Sequence, residues 1–244
     1  HPNHKDHESR YIQKTLATKL SKKEFETLIE AIKDSGCLPM ATPFDERSVD
    51  FCGELELPVI KIASSDIADW PLMERVAQLE KPVMISNGGA SEKDTDDVVK
   101  FFKNRNIELG INHCVSLYPS EDSELELNQI DYLKNRYPDH VIGLSSHEYH
   151  DWYSSMLISY GKGARTWERH IDIEYPEGDK RSVSKYCSLP EQVDTWFKAF
   201  KKAEEMCGSS SKDSKRVITE KETKYLDELV RGVYAKHDLS GGYT

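Results

Sequence analysis

The sequence predicts an α/β protein built on parallel strands, and three observations point to it. Short apolar runs alternate with stretches of helical periodicity from residue 21 to residue 207. Each intervening stretch is long enough for a crossover helix, which parallel neighbours require. Polar and reactive side chains collect just after the apolar runs, where a parallel α/β fold places its functional face. Periodicity alone leaves the open doubly wound sheet and the eight-stranded barrel in competition. No G-x-G-x-x-G or G-x-x-x-x-G-K-[ST] occurs, which weakens the nucleotide-binding versions.

The elements follow in order. Ser21 and Glu24 form a capping box, Phe25, Leu28, Ile29 and Ile32 mark one helical face, and Gly36 stops that helix. Cys37–Thr42 reads as a short buried strand, and Glu46–Leu55 as a helix. Val59–Ser64 is the second strand, followed by a helix from Asp69 to Ala77 with Pro71 in its tolerant first turn. Pro82–Asn87 is the third strand, and Ser91 caps the helix carrying Val98, Val99, Phe101 and Phe102. Ile107–Cys114 is the fourth strand, then come a polar loop (116–124) and a helix marked by Leu127, Ile130, Tyr132 and Leu133. Val141–Ser145, a helix over 152–160 and Ala164–Arg169 complete six strand units. A long helix runs over 189–207, with Ser188 as its expected cap and Pro190 in its first turn. These boundaries predict an α/β domain over 1–207, a Ser/Lys-rich linker over 208–218, and a terminal helix and tail over 219–244.

Composition narrows the function classes. Lys and Arg number 33 against 43 Asp and Glu, a formal net charge of -10. That balance argues against nucleic acid, which needs clustered cations. It also requires any anionic substrate to be drawn by local positive charge. No apolar run reaches membrane-spanning length, and no secretory h-region is visible. Five cysteines without a C-x-x-C favour a reduced, cytosolic protein over a disulfide scaffold.

The strand ends carry the candidate chemistry: Thr42; Lys61, Ser64 and Asp66; Ser86 and Asn87; Ser116 and Tyr118; Ser145 and His147; Glu168 and His170. Lys61 lies between Ile60 and Ile62, so pleating turns it away from both. An inward Lys61 could hold a phosphate or carboxylate or form a Schiff base, whereas a snorkelling edge lysine is the plain alternative. His147 and His170 could share a divalent metal or be two unrelated loop histidines. Ser64 and Ser86 are phosphate donors or simple helix caps. Glu168 is an acid/base group, a neighbour of a metal site, or the ion-pair partner of Arg169. His1, His4 and His7 sit at a polar terminus, where disorder is the better reading than metal binding.

Six segments in this order and spacing carry a family resemblance: ATPFDERSVDF (41–51), VIKIASSD (59–66), KPVMISNGGAS (81–91), HCVSLYP (113–119), IGLSSH (142–147) and ERH (168–170). The chain resembles the sialic acid (N-acetylneuraminate) synthase family, which includes spore-coat polysaccharide biosynthesis homologues. The resemblance runs from about residue 20 to residue 244. It implies a (β/α)8 TIM barrel whose first two units precede this stretch, leading toward an antifreeze-like domain. It implies condensation of phosphoenolpyruvate with an N-acylated amino-sugar aldehyde of the N-acetylmannosamine type, giving a nine-carbon 2-keto sugar acid and phosphate. A divalent metal, Mn2+ or Mg2+, and a homodimer come with that implication.

Carried over by motif, Lys61, Ser64 and Ser86 bind phosphoenolpyruvate, and Asp66 and Glu168 join Lys61 near the reacting centre. Thr42, Asn87, Ser116, Tyr118 and Ser145 line the substrate pocket, and His147 and His170 ligate the metal. Two departures fall near the sugar: Ser146 stands where the family has an aspartate, and RSVSKYCS (181–188) replaces a G-P-D-H-like segment. Two other functions fit the same residues. One is a Schiff-base aldolase using Lys61, and the other is a non-catalytic barrel that binds a sugar or a partner protein.

Overall fold

A computed structural model describes residues 15–16, 18–179, 181–208 and 215–242. The chain divides into two compact units between residues 203 and 204. The first unit opens with α1 (Lys22–Asp34), whose Ser21–Glu24 capping box is formed. It continues through β1 (Met40–Ala41), α2 (Glu46–Glu54), β2 (Val59–Ile62), α3 (Trp70–Ala77), β3 (Val83–Ser86) and α4 (Glu92–Lys103). Then follow β4 (Leu109–Cys114), α5 (Gln129–Arg136), β5 (Val141–Ser145), α6 (Ser154–Lys162), β6 (Thr166–Glu168) and α7 (Pro190–Cys207). Past residue 203 the chain forms α8 (Glu220–Asp227), capped by the Thr219 side chain. The expected linker falls largely on residues 209–214, and the histidines 1, 4 and 7 on residues 1–14; both lie outside the described residues.

All six strands are parallel and pair in sequential order, β1 to β6. That order decides between the two architectures left open above. A doubly wound sheet reverses its strand order partway, and this one never does. Right-handed crossovers that always advance in one direction put every helix on the same side. The core agrees. Ile60, Ile62, Val83, Ile85, Leu109, Ile111 and Ile142 from the strands share one apolar cluster with Val49, Leu72, Val76, Val98, Phe102, Ile130 and Leu133 from the helices. Alternation along each strand then leaves the opposite face to Lys61, Met84, Ser86, Asn112, Cys114, Ser145, Thr166 and Glu168.

Contacts on that face require the sheet to curl. Lys61 on β2 and Glu168 on β6 have three strands between them, yet their charged ends are 3.4 Å apart. Four strand spacings of about 4.8 Å would hold them some 19 Å apart in a flat sheet, beyond the reach of the two side chains. The six strands therefore form a half-barrel with a polar concave face and an apolar convex one. Gly143 shows how closely that face packs: lacking a Cβ, it lets Thr166 Oγ1 donate to Asn112 Oδ1 across β5 at 2.8 Å.

Two local expectations are corrected. The first strand is Met40–Ala41 rather than Cys37–Thr42, and Leu38 is 80% exposed. Pro39 offers no backbone donor there, and among the described residues β1 pairs only with β2. Ser188 does not cap α7, because its hydroxyl accepts from Arg169 Nε at 3.0 Å. Gln192 Oε1 instead accepts the Leu189 N–H at 2.7 Å, serving that helix start.

Candidate active site

Register builds the centre of the site. Ser145 and Glu168 are cross-strand partners in β5 and β6, so the Ser145 hydroxyl donates to Glu168 Oε1 at 3.1 Å. Glu168 Oε2 faces the Lys61 ammonium, which also donates to the Ile62 carbonyl at 3.3 Å. Lys61 is 5% exposed. A lysine that deep is rare without a partner or a task, and this one has a carboxylate partner with 36% side-chain exposure. The mouth of the half-barrel thus holds a buried cation beside a partly open carboxylate.

Two residues beyond Ser145 and Glu168 stand His147 and His170, with ring centroids 5.4 Å apart. His147 is buried, and its Nδ1 lies 3.1 Å from the Val115 carbonyl. A carbonyl only accepts, so Nδ1 carries the proton and Nε2 keeps a lone pair. Burial, reinforced by the neighbouring His170, lowers the His147 pKa to about 4, and the Val115 hydrogen bond opposes that shift. Tyr118 packs on His147 with ring centroids 4.0 Å apart and planes tilted by 41°, and meets His170 edge-on at 5.8 Å. Tyr186 closes the other side, 5.1 Å from His170 and 5.4 Å from Tyr118.

A third group gathers hydroxyls. Ser64 Oγ accepts the Gly88 N–H at 3.0 Å, joining the ends of β2 and β3. A Cβ at Gly88 would press on the Ser116 hydroxyl and crowd Ser64 and Cys114, so glycine lets these side chains close in around the turn. Ser86 Oγ and Asn87 Oδ1 are buried atoms without a hydrogen-bond partner. Orphaned polar atoms at the end of a strand call for a ligand or water to satisfy them.

The predicted residues are therefore brought together in three groups: Lys61, Ser145 and Glu168; Tyr118, His147 and His170; Ser64, Ser116 and the neighbouring Ser86 and Asn87. Two residues stand apart in their contacts. The Asp66 carboxylate is held by Ser65 Oγ at 3.0 Å, and burial raises its pKa above the usual aspartate value. Thr42 lines an apolar cavity of about 510 Å3 among α1, β1 and α2.

One sequence alternative is overturned. Glu168 does not pair with Arg169. Consecutive strand residues face opposite ways, so Glu168 turns to Lys61 while Arg169 pairs with Glu148 at 2.6 Å, both of them buried. Glu148, Arg169, Asn112 and Tyr186 were not singled out by the sequence. Glu148 reads as a loop residue, and Tyr186 lies in the divergent 181–188 segment. Only the arginine adjoining two strand-end candidates carried a hint.

The donor set fits a divalent cation held by two imidazoles, with the remaining positions left to water and substrate. Among the described residues there is no group of three or more His, Cys, Asp or Glu able to hold a metal by themselves. Among the described residues, too, no helix is long and apolar enough to cross a membrane.

Comparison with known proteins places this site in context. The family model described as the NeuB family matches residues 1–212. The chain is 33% identical over 156 residues to N-acetylneuraminate-9-phosphate synthase of Drosophila melanogaster, covering 62% of this chain and 40% of that protein. It is 28% identical over 242 residues to an uncharacterized protein of Methanocaldococcus jannaschii, covering 96% of this chain and 67% of the relative. The crystal structure of a putative spore coat polysaccharide biosynthesis protein E from Chromobacterium violaceum superposes with a TM-score of 0.87 at 35% identity, covering 95% of this chain and 68% of that one. The chain thus spans between two fifths and about two thirds of the length of these relatives.

Proposed function

The chain belongs to the NeuB family, and on that premise we propose that it carries the site of a phosphoenolpyruvate-dependent sugar-acid synthase. The reaction joins phosphoenolpyruvate to an N-acylated amino-sugar aldehyde of the N-acetylmannosamine type and releases phosphate. The contact of Lys61 with Glu168 across the concave face, with Ser145 donating to the same carboxylate two residues before His147, carries this reading. The reading includes a complete (β/α)8 barrel, of which these six units are part.

Each residue has a physical task in it. The Lys61 ammonium offsets the charge of an anionic substrate that a protein of net charge -10 otherwise repels. Ser64, Ser86 and Asn87 present hydroxyl and amide groups to the phosphate and hold its geometry. Ser116, Tyr118 and Ser145 line the space toward the aldehyde. Thr42 and Asp66 stay in the site as outer residues at the ends of β1 and β2. His147 Nε2 and the His170 ring would hold the cation, Mn2+ by preference over Mg2+, because imidazole suits transition metals better. When bound, such a cation supplies Lewis acidity toward an aldehyde oxygen and toward a water. The enol carbon of phosphoenolpyruvate bonds to the aldehyde carbon as water adds at the carbon bearing phosphate. Glu168 takes one proton from that water and returns it to the former aldehyde oxygen, which becomes a hydroxyl. The carbon–oxygen bond to phosphate then breaks, the remaining hydroxyl proton leaves with the phosphate, and a keto group is left.

The test is phosphate release from phosphoenolpyruvate with Mn2+ and a panel of N-acyl amino sugars, using the longest natural chain that contains this stretch. Release that depends on both the sugar and the metal supports the proposal. Borohydride trapping of pyruvate on Lys61, with turnover surviving a chelator, would replace it with the aldolase. Absence of both Mn2+ and phosphoenolpyruvate binding in a calorimeter would replace it with the binding barrel.

A further inference from the structure

The guanidinium of Arg169 makes four contacts with residues that flank or hold the two histidines. Nη1 meets Glu148 Oε1 at 2.6 Å and donates to Ser146 Oγ at 3.2 Å. Nη2 donates to the Glu148 carbonyl at 2.7 Å, and Nε to Ser188 Oγ at 3.0 Å. Ser146 and Glu148 are the residues on either side of His147, and Arg169 itself immediately precedes His170. Ser188, the third partner residue, returns its N–H to the His170 carbonyl at 2.8 Å. A single fork therefore holds the residue on each side of one imidazole, by the Ser146 hydroxyl and the Glu148 carbonyl, and sits next to the other in sequence.

The burial of this pair needs a reason beyond stability. Arg169 and Glu148 have side-chain exposures of 2% and 0%. Replacing such a pair by apolar residues is often neutral or stabilising, so a buried ion pair is weak evidence of a stabilising role. Its geometry is specific instead. The planar fork presents donors in fixed directions that a lysine cannot reproduce. The Ser155 hydroxyl binds the same Glu148 Oε1 and so tethers the carboxylate to α6. The fork also gives Ser146 a partner: where the resembled family has an acid, this chain has a neutral hydroxyl accepting from Arg169.

We infer that Arg169, with Glu148, is the positioning residue that sets the His147–His170 pair, holding both rings at the spacing and orientation in which they accept a cation. Arg169 is not a catalytic residue, because its guanidinium is taken up by Glu148, Ser146 and Ser188, while Glu168 pairs with Lys61. The cation half of this inference rests on the proposed function, whereas the ring geometry does not.

The experiment separates the two. Long-range proton–nitrogen NMR of the histidine rings in metal-free protein reads the His147 tautomer, and calorimetry reads Mn2+ affinity. Variants are Arg169→Met, Arg169→Lys, which keeps the charge and a folded core if the first fails to fold, and Val76→Ala, a destabilising control in the apolar cluster behind the sheet. Expected in wild type is a single Nδ1–H tautomer at His147, with mixed tautomers in the Arg169 variants. Mn2+ affinity should fall by about 10- to 100-fold in Arg169→Met and less in Arg169→Lys, the range seen when residues that orient metal-ligating histidines are removed. Val76→Ala should leave both readouts unchanged despite its lower melting point. Wild-type tautomer and affinity in Arg169→Lys and Arg169→Met would overturn the inference, as would an equal loss of affinity in Val76→Ala. A wild-type protein that binds no Mn2+ while its His147 tautomer still depends on Arg169 sinks the proposed function and upholds the positioning role.

Discussion

Lys61 is the residue on which the chemistry turns, and its environment makes a sharp prediction. Its ammonium is buried against a carboxylate that keeps partial access to solvent. Lys61→Met removes the cation and leaves Glu168 free to swing toward water, so the fold should tolerate the change better than the reaction does. We expect kcat/KM for phosphoenolpyruvate to fall by about 10²- to 10³-fold, the scale of losing one preorganised charge-stabilising group. Melting of the variant, followed by circular dichroism, should remain a single transition. A loss below about fivefold would remove Lys61 from the phosphate site. Gly143 makes a second prediction at the same scale. An alanine Cβ there overlaps Thr166 Oγ1 and Asn112 Oδ1, so Gly143→Ala must break their hydrogen bond or spread β5 from its neighbours. Overpacking of this kind typically destabilises by about 1–3 kcal/mol, readable as a lower urea midpoint; an unchanged midpoint would mean that the concave face has slack. Lys61 was legible in the sequence because a polar residue between two isoleucines declares its side of the strand. The partners of Glu168 and Arg169 were not. Adjacent residues on a strand look like natural ion-pair candidates in one dimension and face opposite ways in three.

Among the elements, β4 ties the site to the packing around it. His113 lies on this strand between Asn112 and Cys114, and its Nε2 meets the Leu125 carbonyl at 2.8 Å across the following loop. Burial lowers its pKa below the ordinary histidine value of 6.5, and the Leu125 hydrogen bond opposes that shift only in part. The sign follows from proton counting. Below about pH 6.5 the unfolded chain binds a proton that the folded chain refuses, so stability falls as pH drops through this window. The limiting slope is about 1.4 kcal/mol per pH unit for one group. His113→Gln keeps a donor toward Leu125 and removes the titration. Its stability should therefore decline less than that of wild type between pH 7 and pH 5.5, as measured by urea melts across that range. Parallel declines would show that His113 does not carry this dependence. Helix starts were the most legible features of the elements: Ser21, Asp69 and Ser91 each accept the predicted backbone N–H. Ser188 failed as a cap because a cap signal is local, whereas the arginine that recruits this hydroxyl follows β6, 19 residues away. The first strand was overread because apolar residues at 37–41 look buried until Pro39 and a single pairing partner are taken into account.

For the whole molecule, the decisive feature is the contrast between a net charge of -10 and a concave face whose buried cation is Lys61. Sequential strand order was implicit in the sequence as alternation, but alternation is shared by the doubly wound sheet. The strand order without reversal and the contacts across the face, from β2 to β6, distinguish the two. The charge contrast sets a salt dependence of unusual sign. An anionic substrate approaches through a repulsive global field and meets its attraction only at short range, inside the half-barrel. Raising ionic strength from about 0.01 M to 0.15 M shortens the Debye length from about 30 Å to about 8 Å. It screens the long-range repulsion while sparing the desolvated contact with Lys61, because buried charges are screened far less than exposed ones. The KM for phosphoenolpyruvate should therefore fall across that range while kcat stays level. An enzyme with a basic, open phosphate site shows the reverse, since there salt weakens the attraction that steers the substrate in. Initial rates at fixed Mn2+ in a series of sodium chloride concentrations make the measurement. A KM that rises steadily with salt would mean that the substrate is steered by exposed cations, which would move its binding site away from the buried ammonium of Lys61.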